Sequence, residues 1–197
     1  TNRRDAVATP ESAGFASGQP ARSRTILRAE QLEISAWRQQ GYAKAKAGPR
    51  RVVAEHPTKT IDAEIDMQPG RKAYFGQTTV TGTEKMDPAF VSYMADLKPG
   101  AEFDPDDVKR ANDRLARLGV FRAMQIQEAP EIGPDGSLPM TVVVQERKLH
   151  RIGLGGTYST IDGIGLETYW LHRNLFGRAE QLRIEGRVAN FENNADP

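Results

Sequence analysis

After His150, apolar and polar residues alternate with a period of two almost without a break. Ile152, Leu154 and Tyr158 alternate with Gly153, Gly155, Thr157 and Ser159; Ile164, Leu166, Thr168 and Trp170 with Gly165, Glu167 and Tyr169; Leu182, Ile184 and Val188 with Arg183, Glu185 and Arg187. The alternation predicts three strands, with Asp162-Gly163 turning the chain after the first. Each run is about the 9 to 11 residues that a tilted membrane-spanning strand requires, and Tyr158, Trp170 and Phe176 stand near the ends as interface aromatics. On that reading Leu166, Trp170, Leu182, Ile184 and Val188 face lipid, while Glu167, Arg183, Glu185 and Arg187 line a watery lumen. A meander whose charged face meets solvent fits the same periodicity equally well. Either reading needs further strands, because roughly eight is the smallest number that closes a barrel.

Upstream the period changes. Residues 1 to about 21, from Thr1-Asn2-Arg3-Arg4 to Pro20, read as loop or as the remnant of a truncated element. From Arg22 to Gln40, Ile26, Ala29, Leu32, Ala36 and Trp37 recur at helical spacing, and Gly41 offers a stop. Strands follow at Arg50 to His56 and Thr60 to Met67, joined by a Pro57-Thr58-Lys59 turn. The stretch from Lys72 to about Leu149 reads as a complete small domain of order β-α-α-β-β. It opens with a strand from Ala73 to Thr81. Asp87-Pro88 and Asp104-Pro105 each set an N-cap before proline at the first helical position. The first helix carries Phe90, Met94 and Leu97 on one face; the second carries Val108, Ala111, Leu115 and Leu118 and stops at Gly119. Strands at Phe121 to Glu128 and Met140 to Gln145 complete it, around a loop with Gly133-Pro134-Asp135-Gly136. Helix, glycine, strand, turn, strand in residues 22–68 echoes residues 105–145, a divergent internal repeat whose first copy lacks its opening strand and first helix.

Composition narrows the function classes. The 197 residues are 38% hydrophobic and 27% charged, which is globular rather than disordered, and their number allows more than one core. Lys and Arg total 27 against 26 Asp and Glu, so no overall field attracts a polyanion such as nucleic acid. Cysteine is absent, which removes thiolate metal sites, thiol nucleophiles and disulfides. Mean hydropathy is −0.59 and no apolar run is long enough for a spanning helix, though barrel strands are hydrophilic on average and stay allowed. The chain, running from Thr1 to Pro197, is expected to be an internal piece of a longer protein.

Candidate chemistry is sparse. Gly153-Leu154-Gly155-Gly156 lacks the following helix N-terminus that a phosphate loop needs. His56, His150 and His172 have no ligand-like spacing, and His172-Arg173-Asn174 reads as a hydrogen-bonded turn between strands. Asp104, Asp106 and Asp107 are explained by capping and the helix dipole. No triad, metal site or cofactor motif stands out, so bond chemistry is not expected.

Two β-α-α-β-β units followed at once by Gly-rich amphipathic strands resemble the POTRA-plus-barrel proteins of the BamA/TamA superfamily, which assemble or export proteins at the Gram-negative outer membrane. The run from Gly153 through Ser159 and Thr160, then Asp162 to Glu167, then Trp170 to Glu180 is similar to the first barrel hairpin of TamA-like members. The resemblance implies an α+β fold with the C-terminal part of one POTRA domain in 1–70, the complete last POTRA domain in 71–149, and the first antiparallel strands of a transmembrane β-barrel in 150–197. It implies an outer-membrane location with POTRA domains in the periplasm, unfolded outer-membrane protein clients including autotransporters, a lipid bilayer around the barrel, and a TamB-like periplasm-spanning partner. The seam strand would be Arg151, Ile152, Gly153, Leu154, Gly155, Gly156, Thr157 and Tyr158, whose glycines either weaken pairing or let aromatic neighbours pack. A POTRA edge strand of Phe121, Arg122, Ala123, Met124, Gln125, Ile126, Gln127 and Glu128 would either add a client strand or be blunted by Arg122 and Glu128 or covered by the barrel. Two alternatives share the architecture: a two-partner secretion transporter, and a passive anchor or porin.

Overall fold

The computed structural model describes residues 9–20, 22–58, 60–159 and 163–189. The expected features at Thr1 to Arg4, Lys59, Thr160 and Asp162 lie outside these residues. The order of elements is α1 (Ser23–Gln39), β1 (Lys46–Glu55), β2 (Thr60–Gln68), β3 (Tyr74–Thr81), α2 (Pro88–Ala95), α3 (Pro105–Arg117), β4 (Phe121–Glu128), β5 (Ser137–Glu146), β6 (His150–Ser159), β7 (Gly163–His172) and β8 (Leu182–Ala189). They build three antiparallel groups: the pair β1-β2, a sheet of order β3-β5-β4, and a sheet of order β6-β7-β8.

Local chemistry explains most boundaries. Asp87 Oδ1 accepts from the Ala89 N–H at 2.9 Å and Asp104 Oδ1 from the Asp106 N–H at 2.8 Å, the caps that the two Asp-Pro pairs predict. Helix α2 ends two residues before Leu97 because Asp96 turns to a φ of 50°; Leu97 is buried all the same. Strand β1 begins at Lys46, ahead of the expected Arg50, because its register shifts between Ala47 and Arg50 and the proline between them sits in that irregularity. Strand β5 begins three residues earlier than expected, at Ser137, and buries Leu138, Met140, Val142 and Val144. As the middle strand of its sheet it needs alternate residues inside along its whole length.

The chain divides into two compact units, Thr1–Thr79 with Asp96–Ala111 and Ile126–Thr141, and Val80–Ala95 with Asn112–Gln125 and Val142–Pro197. The first buries Ala29, Ala43, Ala45, Ala73, Leu138 and Met140, and also the ring pair Phe75 and Phe103, whose centroids are 5.5 Å apart. The Gly41 carbonyl accepts from Ala73 N–H at 2.9 Å, and the Arg38 guanidinium lies 5.4 Å from the Phe103 ring centre. The second unit buries Met86, Val91, Ala95, Leu115, Val120, Phe121, Val142 and Val144. In it the Glu146 carboxylate collects the N–H groups of Glu84, Lys85 and Met86 at 2.7, 3.0 and 2.9 Å, fixing the loop before α2.

Candidate functional site

The strands β6, β7 and β8 pair in one continuous register, and that register sorts the side chains onto two faces. Ile152 lies opposite Trp170 and Trp170 opposite Ile184; Tyr158 pairs with Ile164, and Leu166 with Val188. Every second residue shares a face, so these form one apolar surface with Leu154 and Leu182. Most of its side chains stand exposed: Ile152 is 72% exposed, Leu154 81%, and Ile164, Leu166, Ile184 and Val188 each more than half. Leaving such a side chain in water forgoes about 1.5 to 3 kcal/mol relative to burying it. An apolar face of this size marks a surface that meets something apolar.

The other face carries Arg151, Glu167, Tyr169, Arg183, Glu185 and Arg187. Arg187 donates to Glu167 at 3.4 Å, Arg183 pairs with Glu185, and the Arg183 guanidinium lies 4.3 Å from the centre of the Tyr169 ring. The register therefore brings the four residues expected in a lumen onto one side and the five expected toward lipid onto the other. Strand β6, with Arg151 to Tyr158, terminates the sheet order.

Strand β4 likewise terminates its sheet. Its last residue, Glu128, is tied up: one carboxylate oxygen accepts from Arg38 and the other from Lys44 at 3.2 Å. Of the two charges expected to blunt the edge, Glu128 is thus neutralised by the end of α1 and the loop after it.

The β7–β8 turn shows what periodicity did not reveal. Asn174, buried to 6% exposure, donates through Nδ2 to the Lys85 carbonyl at 3.1 Å and accepts through Oδ1 from the Ala179 N–H at 3.0 Å. The Asp87 N–H donates to the Gly177 carbonyl at 2.9 Å, and Arg173 donates through its backbone to Leu149 and through Nη1 to Lys148, both at 2.9 Å. Glu180 accepts from the N–H groups of Phe176 and Arg178 at 3.2 and 3.0 Å. Hydrogen bonding to its own and these neighbouring backbone N–H groups outweighs the opposing effect of desolvation and holds its carboxyl below the usual range. The turn is hydrogen-bonded, as His172-Arg173-Asn174 predicts, but one of its partners, Lys85, lies 89 residues upstream of Asn174. The run His172-Arg173-Asn174 was the available signal; the partner loop had none.

Pairing of β6 with β7 also sets His150 directly opposite His172, with ring centres 4.7 Å apart and Trp170 stacked on His150 at 5.5 Å. Sequence separation hid this neighbourhood. No group of three or more His, Asp or Glu side chains suited to a metal ion occurs among the described residues.

These features can be set beside known proteins. Residues 73–147 match the POTRA family. That family is described as a surface antigen variable number repeat. The chain is 26% identical over 127 residues to the outer membrane protein assembly factor BamA of Neisseria meningitidis serogroup B, covering 64% of this chain and 16% of that protein. It is 27% identical over 155 residues to BamA of Nitratidesulfovibrio vulgaris, covering 78% of this chain and 19% of that one. The chain thus spans less than a fifth of these curated relatives. The crystal structure of Haemophilus ducreyi BamA lacking POTRA domains 1–3 superposes with a TM-score of 0.76 at 18% identity, over 96% of this chain and 35% of that one. CdiB from Escherichia coli reaches 0.52 at 14% identity, over 86% and 30%. The solved structures speak for the fold. What the comparisons show is a POTRA match over residues 73–147 and a similarity to BamA proteins at 26 and 27% identity.

Proposed function

We propose that this chain is part of an outer-membrane assembly factor that inserts or folds other β-barrel proteins, autotransporters among them. Residues 1–70 are the C-terminal part of one POTRA domain, 71–149 the complete last POTRA domain, and 150–197 the first strands of a barrel. The observation that carries the reading is the exposed apolar face of β6, β7 and β8, backed by a face of paired Arg and Glu and preceded by the POTRA match. Hydrocarbon outside and water inside would satisfy both faces at once, which bulk water on both sides would not.

The work asked of such a protein is non-covalent. A nascent barrel strand entering hydrocarbon carries unpaired backbone N–H and C=O groups, each costing several kcal/mol. A seam at Arg151 to Tyr158 pairs them as the strand enters, and the periplasmic POTRA domains hold clients, through the edge Phe121 to Glu128, or hold a TamB-like partner. Within the superfamily, the TamA-like assignment rests on the sequence from Gly153 to Glu180. A second reading, export of a client through the lumen as in two-partner secretion, draws on the CdiB fold likeness. Photo-cross-linkers placed at Leu154 and Gly156, and separately at Glu167 and Arg187, distinguish them in cells expressing the full-length protein. Barrel clients trapped at the first pair support assembly. Clients trapped only at the second pair support export, and none at either sinks both.

A further inference from the structure

The three glycines of β6 are not equivalent. Gly155 has nothing within 4 Å of the place its side chain would occupy, and Gly156 has only the Gly165 carbonyl at 3.9 Å. Gly153 is different. It lies opposite Tyr169 in the β6–β7 register, and a Cβ there would collide with the Tyr169 ring and lie 2.8 Å from its hydroxyl. The ring lies across the Gly153 backbone on the charged face of the sheet, with the Arg183 guanidinium of β8 at 4.3 Å from its centre and that of Arg151 at 5.9 Å. On the opposite face, at the same end of the strand, the rings of His150, Trp170 and His172 pack across β6 and β7.

Glycine weakens a strand because it brings extra backbone entropy and no packing surface. An aromatic ring from the neighbouring strand laid over the glycine restores that surface, and a stacked guanidinium adds to it. We propose that Tyr169 is a positioning residue that clasps β6 to β7 through Gly153, so that β6 is fastened at its His150–Gly153 end and loose from Gly155 to Tyr158. A strand fastened in this way opens from its far end while keeping its register on β7. This rests on the seam reading above and specifies which half of the strand is offered to a client.

Hydrogen–deuterium exchange on the full-length protein in lipid nanodiscs, read for peptides covering 150–154, 155–159 and 182–188, tests the clasp. In the parent protein 155–159 exchanges faster than 150–154. Tyr169→Ala speeds exchange of 150–154 by at least about fivefold with 182–188 unchanged, Tyr169→Phe behaves as the parent, and Gly155→Ala speeds nothing. Gly153→Val displaces the ring and mimics Tyr169→Ala. If it fails to fold, adding Tyr169→Ala, which vacates the space, restores folding. Unchanged exchange in Tyr169→Ala, equal loosening of 182–188, or, where Gly153→Val fails to fold, a double variant that fails as well overturns the clasp. Clients cross-linked from Leu154 or Gly156 alongside unchanged exchange would remove the clasp and leave the seam; fast exchange without clients would do the reverse.

Discussion

Asn174 is the polar residue on which the β7–β8 turn depends, since its amide closes the turn on Ala179 and joins it to Lys85. Replacing it by alanine leaves a carbonyl and an N–H without their partner in a nearly closed site, and a stranded buried group costs about 1 to 3 kcal/mol. Asn174→Ala is therefore expected to lower the unfolding free energy of the detergent-solubilised protein by that amount, read as a lower urea midpoint, whereas Asn174→Asp, which keeps an acceptor for Ala179, loses less. An unchanged midpoint for the alanine variant would mean that solvent already satisfies both groups. At this scale the sequence was partly legible. A polar turn at His172 to Asn174 follows from composition, but the identity of its partner depends on a contact 89 residues away. The glycines of β6 tell the same story: two expectations stood side by side, weak pairing or packing of an aromatic, and the structure assigns the second to Gly153 alone.

At the scale of elements, the pairing of strands turns alternation into function. The lowered pKa of Glu180 gives its turn a pH dependence with a definite sign. A carboxyl whose pKa is depressed by folding contributes stability that is complete above the ordinary carboxylate range and is lost as the pH falls through its own lower value. Amide exchange at Phe176 and Arg178 is thus expected to stay slow at neutral pH, after correction for intrinsic rates, and to lose protection in acid. Glu180→Gln should abolish that dependence, and an acid response identical in the variant would assign it elsewhere. The two faces of β8 give a second prediction. Ile184→Arg puts a charge on the apolar face and is expected to destabilise the full-length protein in lipid by about 2 to 4 kcal/mol, while Glu185→Gln on the other face changes stability little. Equal effects from both would show that the faces do not meet different media. The partition itself was readable from residues 182–188. A strand places neighbours on opposite sides whatever its surroundings, so Leu182, Ile184 and Val188 had to share a face.

For the molecule as a whole, the exposed apolar face predicts behaviour in solution. The 197-residue chain, purified without detergent, is expected to self-associate, and micelles are expected to return it to a single protomer per particle. Monodisperse monomer in plain buffer would instead mean that the face is covered from within. The sequence by itself determined the kind and order of elements, because capping, turn chemistry and side-chain period act over a few residues. It determined that β6, β7 and β8 would be two-faced. Only the tertiary structure decided that Glu128 meets Arg38 and Lys44, that His150 faces His172, that Asn174 reaches Lys85, and that Tyr169 covers one glycine of three. The physical reason is that such contacts depend on which distant segments become neighbours and in what register. Local preferences are the same whichever register is chosen, and the packed chain selects one.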